Sequence, residues 1–282
     1  MKCAWQAYLN ILPHWMRQEV DQFGKVTLQE LRMRIGITPA MYLGSEIHKL
    51  PRIITKEDIS FVINAASEYS PWAAKSLAKG YLTAQGGHRI GVCGVATIAD
   101  GAMCGITLPT SLCLRVARDI EGIAPKPSAV SNSVLIIGPP GSGKTTLLRD
   151  MIRIKSNTGE GNISVVDERE EIFPLYKGQA CFCAGEHTDI LSGCKKADGI
   201  EAVLRSMNPQ WIAVDEITEK PDCDALLQAG WCGVNLMATA HAGSLQDYLT
   251  RPVYKPLVEC KLFSTVLVLH RDKSWKMERM YI

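Results

Sequence analysis

Short apolar runs that end in glycine or in polar residues punctuate the second half of the chain, at residues 134–137, 163–167, 211–215, 234–239 and 265–270. Runs of this length without polar alternation are the pattern of parallel strands buried on both faces. Between them the apolar spacing predicts helices over 145–154, where Leu147, Leu148, Met151 and Ile152 share a face, and over 200–206 and 222–229. Strand and helix alternate, so this half is expected to be an α/β domain.

The first half has a different texture. Residues 28–35 suggest a helix, and Thr55-Lys56-Glu57-Asp58 opens a second helix over 59–69 with Thr55 as its N-cap. Residues 80–98 read as strands around Gly86-Gly87, and a second strand pair involves 112–117. This pattern is that of a small α+β domain. Pro125-Lys126-Pro127-Ser128, followed by Ser131-Asn132-Ser133, reads as a linker and divides the chain into domains 1–127 and 128–282. Neither half shows an internal repeat or a low-complexity segment.

Gly138-Pro139-Pro140-Gly141-Ser142-Gly143-Lys144-Thr145 lies between the first of the buried strands and the helix that follows it. It matches the phosphate-binding pattern G-x-x-x-x-G-K-[ST] at every position. The glycines let the backbone curl until its N–H groups face a phosphate, and the next helix adds the positive end of its dipole. Lys144 would reach the β- and γ-phosphates, the hydroxyl of Thr145 would hold Mg²⁺, and Thr146 completes the binding set.

A second apolar strand ends in Asp215-Glu216, ~70 residues beyond the loop. Asp215 would bind the Mg²⁺ through its water shell, and Glu216 would orient and deprotonate an attacking water. Taken alone, the pair also fits a strand that ends in a polar turn. A guanine-reading N-K-x-D string is missing: Lys195-Lys196-Ala197-Asp198 lacks the Asn and precedes the Asp215 strand, which favours ATP. A Glu directly after the Mg²⁺ Asp suits water activation better than phosphoryl transfer to another hydroxyl. Two more strand ends carry polar clusters, Asp167-Glu168-Arg169-Glu170-Glu171 and Thr239-Ala240-His241. Each alone fits a solvated loop or a surface histidine equally well. In a parallel sheet all such ends line one edge, where open α/β folds bind their ligands, so four strand ends would surround one nucleotide.

Composition adds exclusions. A net charge of +2 over 282 residues leaves no global electrostatic footprint for nucleic acid. Polar residues interrupt the first sixteen positions, so no signal peptide is expected, and no apolar run approaches the ~20 residues of a membrane span. A cytoplasmic protein is expected. Ten scattered cysteines in such a chain point to a reducing compartment, and Cys181-Phe182-Cys183 lacks a second ligand pair for zinc.

These residues resemble the secretion-ATPase superfamily of type II and type IV secretion and pilus retraction, and within it the stage III sporulation protein AA family of endospore-forming bacteria. The resemblance is carried by Glu30-Leu31-Arg32-Met33-Arg34-Ile35-Gly36, Gly86-Gly87-His88-Arg89-Ile90-Gly91 and Leu114-Arg115-Val116-Ala117-Arg118. It continues through the phosphate loop, Val166 to Ile172, Arg205-Ser206-Met207-Asn208-Pro209-Gln210, Asp215-Glu216-Ile217 and Ala238-Thr239-Ala240-His241. It implies a RecA-like ATPase domain preceded by a smaller α+β domain, working as a homo-hexamer with nucleotide between the domains. Glu168 and His241 would sense the γ-phosphate, and Arg89, Arg115 and Arg118 would close onto the phosphates, for which guanidinium groups are well suited.

The resemblance also implies partners: membrane proteins of a sporulation channel complex, with the ATPase peripheral at the mother-cell side of the forespore membrane. Ile217-Thr218-Glu219 departs from the superfamily, which often has an arginine shortly after the catalytic Glu, and Thr218 stands where the sporulation family usually has glycine. Two other readings share the same core. One is a nucleic-acid-dependent RecA-like ATPase, but Arg32, Arg34, Lys75, Lys79 and Arg89 are too dispersed to form a binding strip, so no nucleic acid is expected. The other is a nucleotide-gated scaffold with slow turnover.

Overall fold

The computed structural model describes residues 1–68, 80–99, 101–126, 129–159 and 161–280. Tyr69, Lys75, Lys79 and the expected junction at 127/128 lie outside them. Packing divides the chain into two units, Met1–Asp119 with Pro174–Phe182, and Ile120–Phe173 with Cys183–Ile282. The division falls before the expected linker because Asp150, in the phosphate-loop helix, accepts the N–H groups of Ile123 and Ala124 at 2.7 and 2.9 Å. Those bonds fasten the start of the linker to the second unit. Pro174–Phe182 belongs to the first unit, where Tyr176 and Lys177 both reach the Glu68 carboxylate.

In the first unit the described strands are β1 (Glu30–Arg34), β2 (Ala40–Leu43), β3 (Glu46–Lys49), β4 (Tyr81–Thr83), β5 (Arg89–Ala99) and β6 (Ala102–Arg115). They form a sheet in the order β3-β2-β1-β6-β5-β4, with every neighbouring pair antiparallel. Residues 28–35 thus contain strand β1, not the expected helix. Leu28, Leu31 and Ile35 have helical spacing, and Glu, Leu, Arg and Met are good helix formers. Yet Leu31 and Met33 are buried while Arg34 is exposed and Glu30 and Arg32 are half-buried, the two-residue period of a strand. Pairing on both edges overrides the local preference.

The core of this unit joins Tyr8, Met16 and Val20 from the helices Trp5–Asn10 and His14–Thr27, and Leu12 from the link between them, to Leu31, Met33, Ile90 and Leu114 of the sheet. A third helix, Lys56–Ser67, starts at a capping box in which Asp58 N–H donates to Thr55 Oγ1 at 3.3 Å and Thr55 N–H to Asp58 Oδ2 at 2.9 Å. Two short strands, β9 (Leu175–Tyr176) and β10 (Gln179–Ala180), pair within the Pro174–Phe182 segment.

The second unit is built on β7 (Val134–Ile137), β8 (Ile163–Asp167), β11 (Thr188–Ser192), β12 (Trp211–Ile217), β13 (Asn235–Ala240), β14 (Thr265–Leu269) and β15 (Trp275–Arg279). Their order is β11-β8-β12-β13-β7-β14-β15, parallel except for the antiparallel β15 at one edge. Helices Lys144–Ser156, Lys196–Ser206 and Lys220–Trp231 lie between the strands in sequence. On the first of them Leu147, Leu148, Met151 and Ile152 form the buried face that the spacing predicted. Every residue of β7 and β8 is buried, so charged side chains gather at the C-terminal ends of the strands. The C-terminal ends of β8, β12, β13 and β7 follow one another along one edge of the sheet.

Candidate active site

The loop after β7 is shaped by its glycines. A Cβ at Gly138 would stand 2.8 Å from both Leu269 O and Ser142 Oγ, so no larger residue fits. Gly143 has φ +100° and is the N-cap of helix Lys144–Ser156, whose first turn no side chain caps. A helix N-terminus left in this way attracts anions. Ser142 Oγ is buried without a hydrogen-bond partner, an orphan donor that a phosphate oxygen would satisfy. The ammonium of Lys144 donates to Gly138 O and Pro139 O, both at 3.1 Å, and sits 3.1 Å from His241 Nδ1. Burial holds its pKa below the ordinary lysine value, while Asp215 and Glu216 pull the other way. A polyanion placed here would offset that desolvation.

Thr145 and Asp215 meet directly, the hydroxyl donating to Asp215 Oδ2 at 2.8 Å. A hydroxyl and a carboxylate at the mouth of a phosphate loop are hard oxygen donors of the kind that suits Mg²⁺. The register of β12 against β13 shifts between Val214 and Ile217, and within that bulge Glu216 adopts a left-handed backbone with φ +44°. Such a conformation costs a non-glycine residue on the order of 1–3 kcal/mol, so it persists only where its surroundings enforce it. Here the Glu216 N–H donates to Asp215 Oδ1 at 2.9 Å and to Thr239 Oγ1 at 2.8 Å, and the Thr239 hydroxyl in turn donates to Asp215. The bulge turns the Glu216 side chain to His241, whose Nε2 lies 2.9 Å from Glu216 Oε1.

Lys144, Thr145, Asp215, Glu216 and His241 are thus one connected cluster. Thr239 and Arg169 belong to it as well, although the motifs gave neither a role. Arg169 donates to Glu216 Oε2 at 3.0 Å. Thr239 is fully buried, and the signal for it in the sequence is a lone hydroxyl residue at the end of the apolar run 234–239. Glu168 points elsewhere and pairs with the buried Lys196 at 2.6 Å. Lys196 is also 3.6 Å from Asp222, whose carboxylate accepts the Thr218 N–H at 3.0 Å and the Thr218 hydroxyl at 3.4 Å. Thr218 therefore anchors the turn that follows Glu216.

The turn after β8 is equally fixed. Asp167 accepts the N–H groups of Glu171, Ile172 and Phe173 at 2.9, 2.9 and 2.8 Å. Burial nevertheless pushes its pKa up to about 6, against the pull of those bonds. Beside the phosphate loop opens a cavity of about 520 Å³ whose lining includes Ile120, Ile123, Thr146, Leu147, Leu269 and Trp275. Trp275 is set in place by donating its indole N–H to Ile123 O at 3.2 Å.

The arginines of the first unit are placed as follows. Arg89 and Arg115 are cross-strand partners at the base of the β5–β6 hairpin, and the Arg89 guanidinium lies 3.9 Å from the Tyr81 ring centroid. Arg118 donates to the carbonyls of Lys25, Val116 and Leu28, and burial lowers its pKa.

The family model described as "Sporulation stage III, protein AA" matches residues 6–281. The chain belongs to the stage III sporulation protein AA family. It is 36% identical over 279 residues to stage III sporulation protein AA of Bacillus subtilis (strain 168), covering 94% of this chain and 91% of that protein. Among solved structures, the ATPase DotB of Legionella pneumophila superposes with a TM-score of 0.59 at 17% identity, over 95% of this chain and 80% of its own. The pilus retraction motor PilT, solved with bound ADP, gives 0.60 at 17% identity, over 89% and 76%. The family member thus has the secretion-ATPase fold, a mixed α/β architecture with a smaller N-terminal part. None of the described helices is long and apolar enough to cross a membrane.

Proposed function

We propose that this chain hydrolyses ATP and uses the cycle to power or gate a secretion-like channel complex between mother cell and forespore. The observation that carries the reading is the convergence of the phosphate loop, Asp215, Glu216 and His241 through bonds of 2.8 to 3.1 Å. Lys144 exchanges its loop carbonyls for β- and γ-phosphate oxygens, and the uncapped helix start and Ser142 Oγ add donors around the same phosphates. The apolar cavity beside Trp275 takes the base. Glu216 accepts the proton of the attacking water, and His241, bonded to Glu216 Oε1, reports whether the γ-phosphate is present. Mg²⁺ held by Thr145 and, through water, by Asp215 would spread the phosphate charge.

Family membership and the secretion-ATPase fold support the wider setting. In it the chain works as a homo-hexamer, docks on membrane proteins of a sporulation channel complex and sits at the mother-cell side of the forespore membrane. Arg89, Arg115 and Arg118 remain the first unit's candidates for contact with the phosphates, and Glu168, paired with Lys196, remains a candidate for sensing the γ-phosphate beside His241. The test of the nucleotide site is Lys144→Ala, titrated with a fluorescent ATP analogue and Mg²⁺. Affinity is expected to fall on the order of 100-fold with the loss of charge-assisted bonds. Unchanged affinity would remove the loop from the reading.

A further inference from the structure

Glu216 is gripped from two sides. His241 Nε2 lies 2.9 Å from Oε1, and Arg169 donates to Oε2 at 3.0 Å. The two partners come from the ends of β13 and β8, the strands that flank β12 in the sheet. One bond to each carboxylate oxygen leaves a lone pair on each, in a direction that the two bonds fix.

Arg169 is held out by a built turn. Asp167 accepts three N–H groups from residues 171–173, and Arg149 donates to Ile172 O at 2.5 Å and to Glu171 O at 2.8 Å. Glu170, next in the chain, is left-handed with φ +57°. Consecutive side chains therefore leave this turn for different partners, Glu168 for Lys196 and Arg169 for Glu216. An exposed ion pair between two mobile side chains contributes little. Here one partner stands on the β12 bulge and the other on a clamped turn, so the bond between them defines a direction.

We infer that Arg169 is a positioning residue for Glu216, aiming the carboxylate at the attacking water. The inference rests on the reading of Glu216 as the base. Misplacing a reacting group by about 1 Å costs on the order of 100-fold in rate. Arg169→Ala should accordingly lower kcat by roughly 10- to 100-fold with KM unchanged, and Arg169→Lys, which keeps one charged donor, should recover part of the loss.

The deciding experiment is single-turnover ATP hydrolysis, with enzyme in excess so that slow rates are resolved, for Arg169→Ala in the wild-type and Glu216→Gln backgrounds. A positioning role predicts no further loss on top of Glu216→Gln. The same fold-loss in both backgrounds, a rise in KM alone, or a wild-type kcat for Arg169→Ala overturns it. If Glu216→Gln itself turns over like the wild type, the base assignment fails. A slow Glu216→Gln beside a fully active Arg169→Ala defeats the positioning role alone.

Discussion

The strands of the two sheets bury themselves differently. In the second unit β7 and β8 are buried at every residue, and the charged side chains stand at or just beyond the strands' C-terminal ends. In the first unit β1 alternates, and β5 is exposed from Cys93 onward, beyond Val92. A strand covered on both faces leaves little place for a charged side chain along its length, and parallel neighbours bring their ends to one edge. Reactive groups therefore collect there: the loop lysine, the Asp215-Glu216 pair and His241. The antiparallel sheet spreads its charged residues over its faces, where Arg32 pairs with Glu30 and Arg89 stacks on Tyr81.

The sharpest way to break this contrast is to remove the same group from each sheet. Thr239→Val deletes the hydroxyl that accepts from Glu216 N–H and donates to Asp215, so turnover should fall roughly 10- to 100-fold. Stability should fall by about 1–3 kcal/mol as buried polar groups lose a partner. Thr107→Val deletes an exposed hydroxyl bonded to Val95 O on the β5–β6 hairpin, and should stay within about 0.5 kcal/mol of the wild type with turnover unchanged. Urea unfolding and steady-state hydrolysis of both variants measure the difference. Equal effects would mean that the strand-end edge has no special status.

Acid separates the units with a smaller effect and opposite signs. His88, fully buried in the first unit, is bonded at both nitrogens, 3.0 Å from Ala4 O and 3.1 Å from Ala117 N. Burial holds its pKa below the ordinary 6.5. Its contribution is therefore present above 6.5 and lost as pH falls through the lowered folded value. Asp167 is raised from 3.8 to about 6, so its contribution is present below 3.8 and lost as pH rises through about 6. Between about pH 7 and about pH 5, His88→Asn should reduce the acid-induced loss of stability and Asp167→Asn should enlarge it, measured by urea unfolding at both pH values. A shift of the same sign in both variants would contradict this.

How far the sequence could be read follows from the same contrast. Continuous apolar runs placed β7 and β8 at their observed bounds, and the loop and acidic pair came with their strands. Strand β1 imitates a helix because alternation in a half-exposed strand leaves room for residues with helical spacing. Thr55 announced its helix because a capping box is a local device. Arg169 was not legible as a partner of Glu216, since 47 residues separate them and only the sheet order brings their strand ends together. Glu168 was read with the nucleotide cluster, but its direction is set by Lys196, on a helix that sequence adjacency does not reveal. The packing of Pro174–Phe182 with the first unit is not legible in the sequence, for its link to Glu68 spans more than a hundred residues.

The most direct test compares ATP hydrolysis by wild type and Glu216→Gln at saturating Mg²⁺ and ATP, with nucleotide affinity measured on the same preparations. The account predicts a rate at least ~100-fold lower for the variant, as expected for loss of a general base, with affinity retained. Equal rates for the two proteins, or no hydrolysis by the wild type in any oligomeric form, would contradict it.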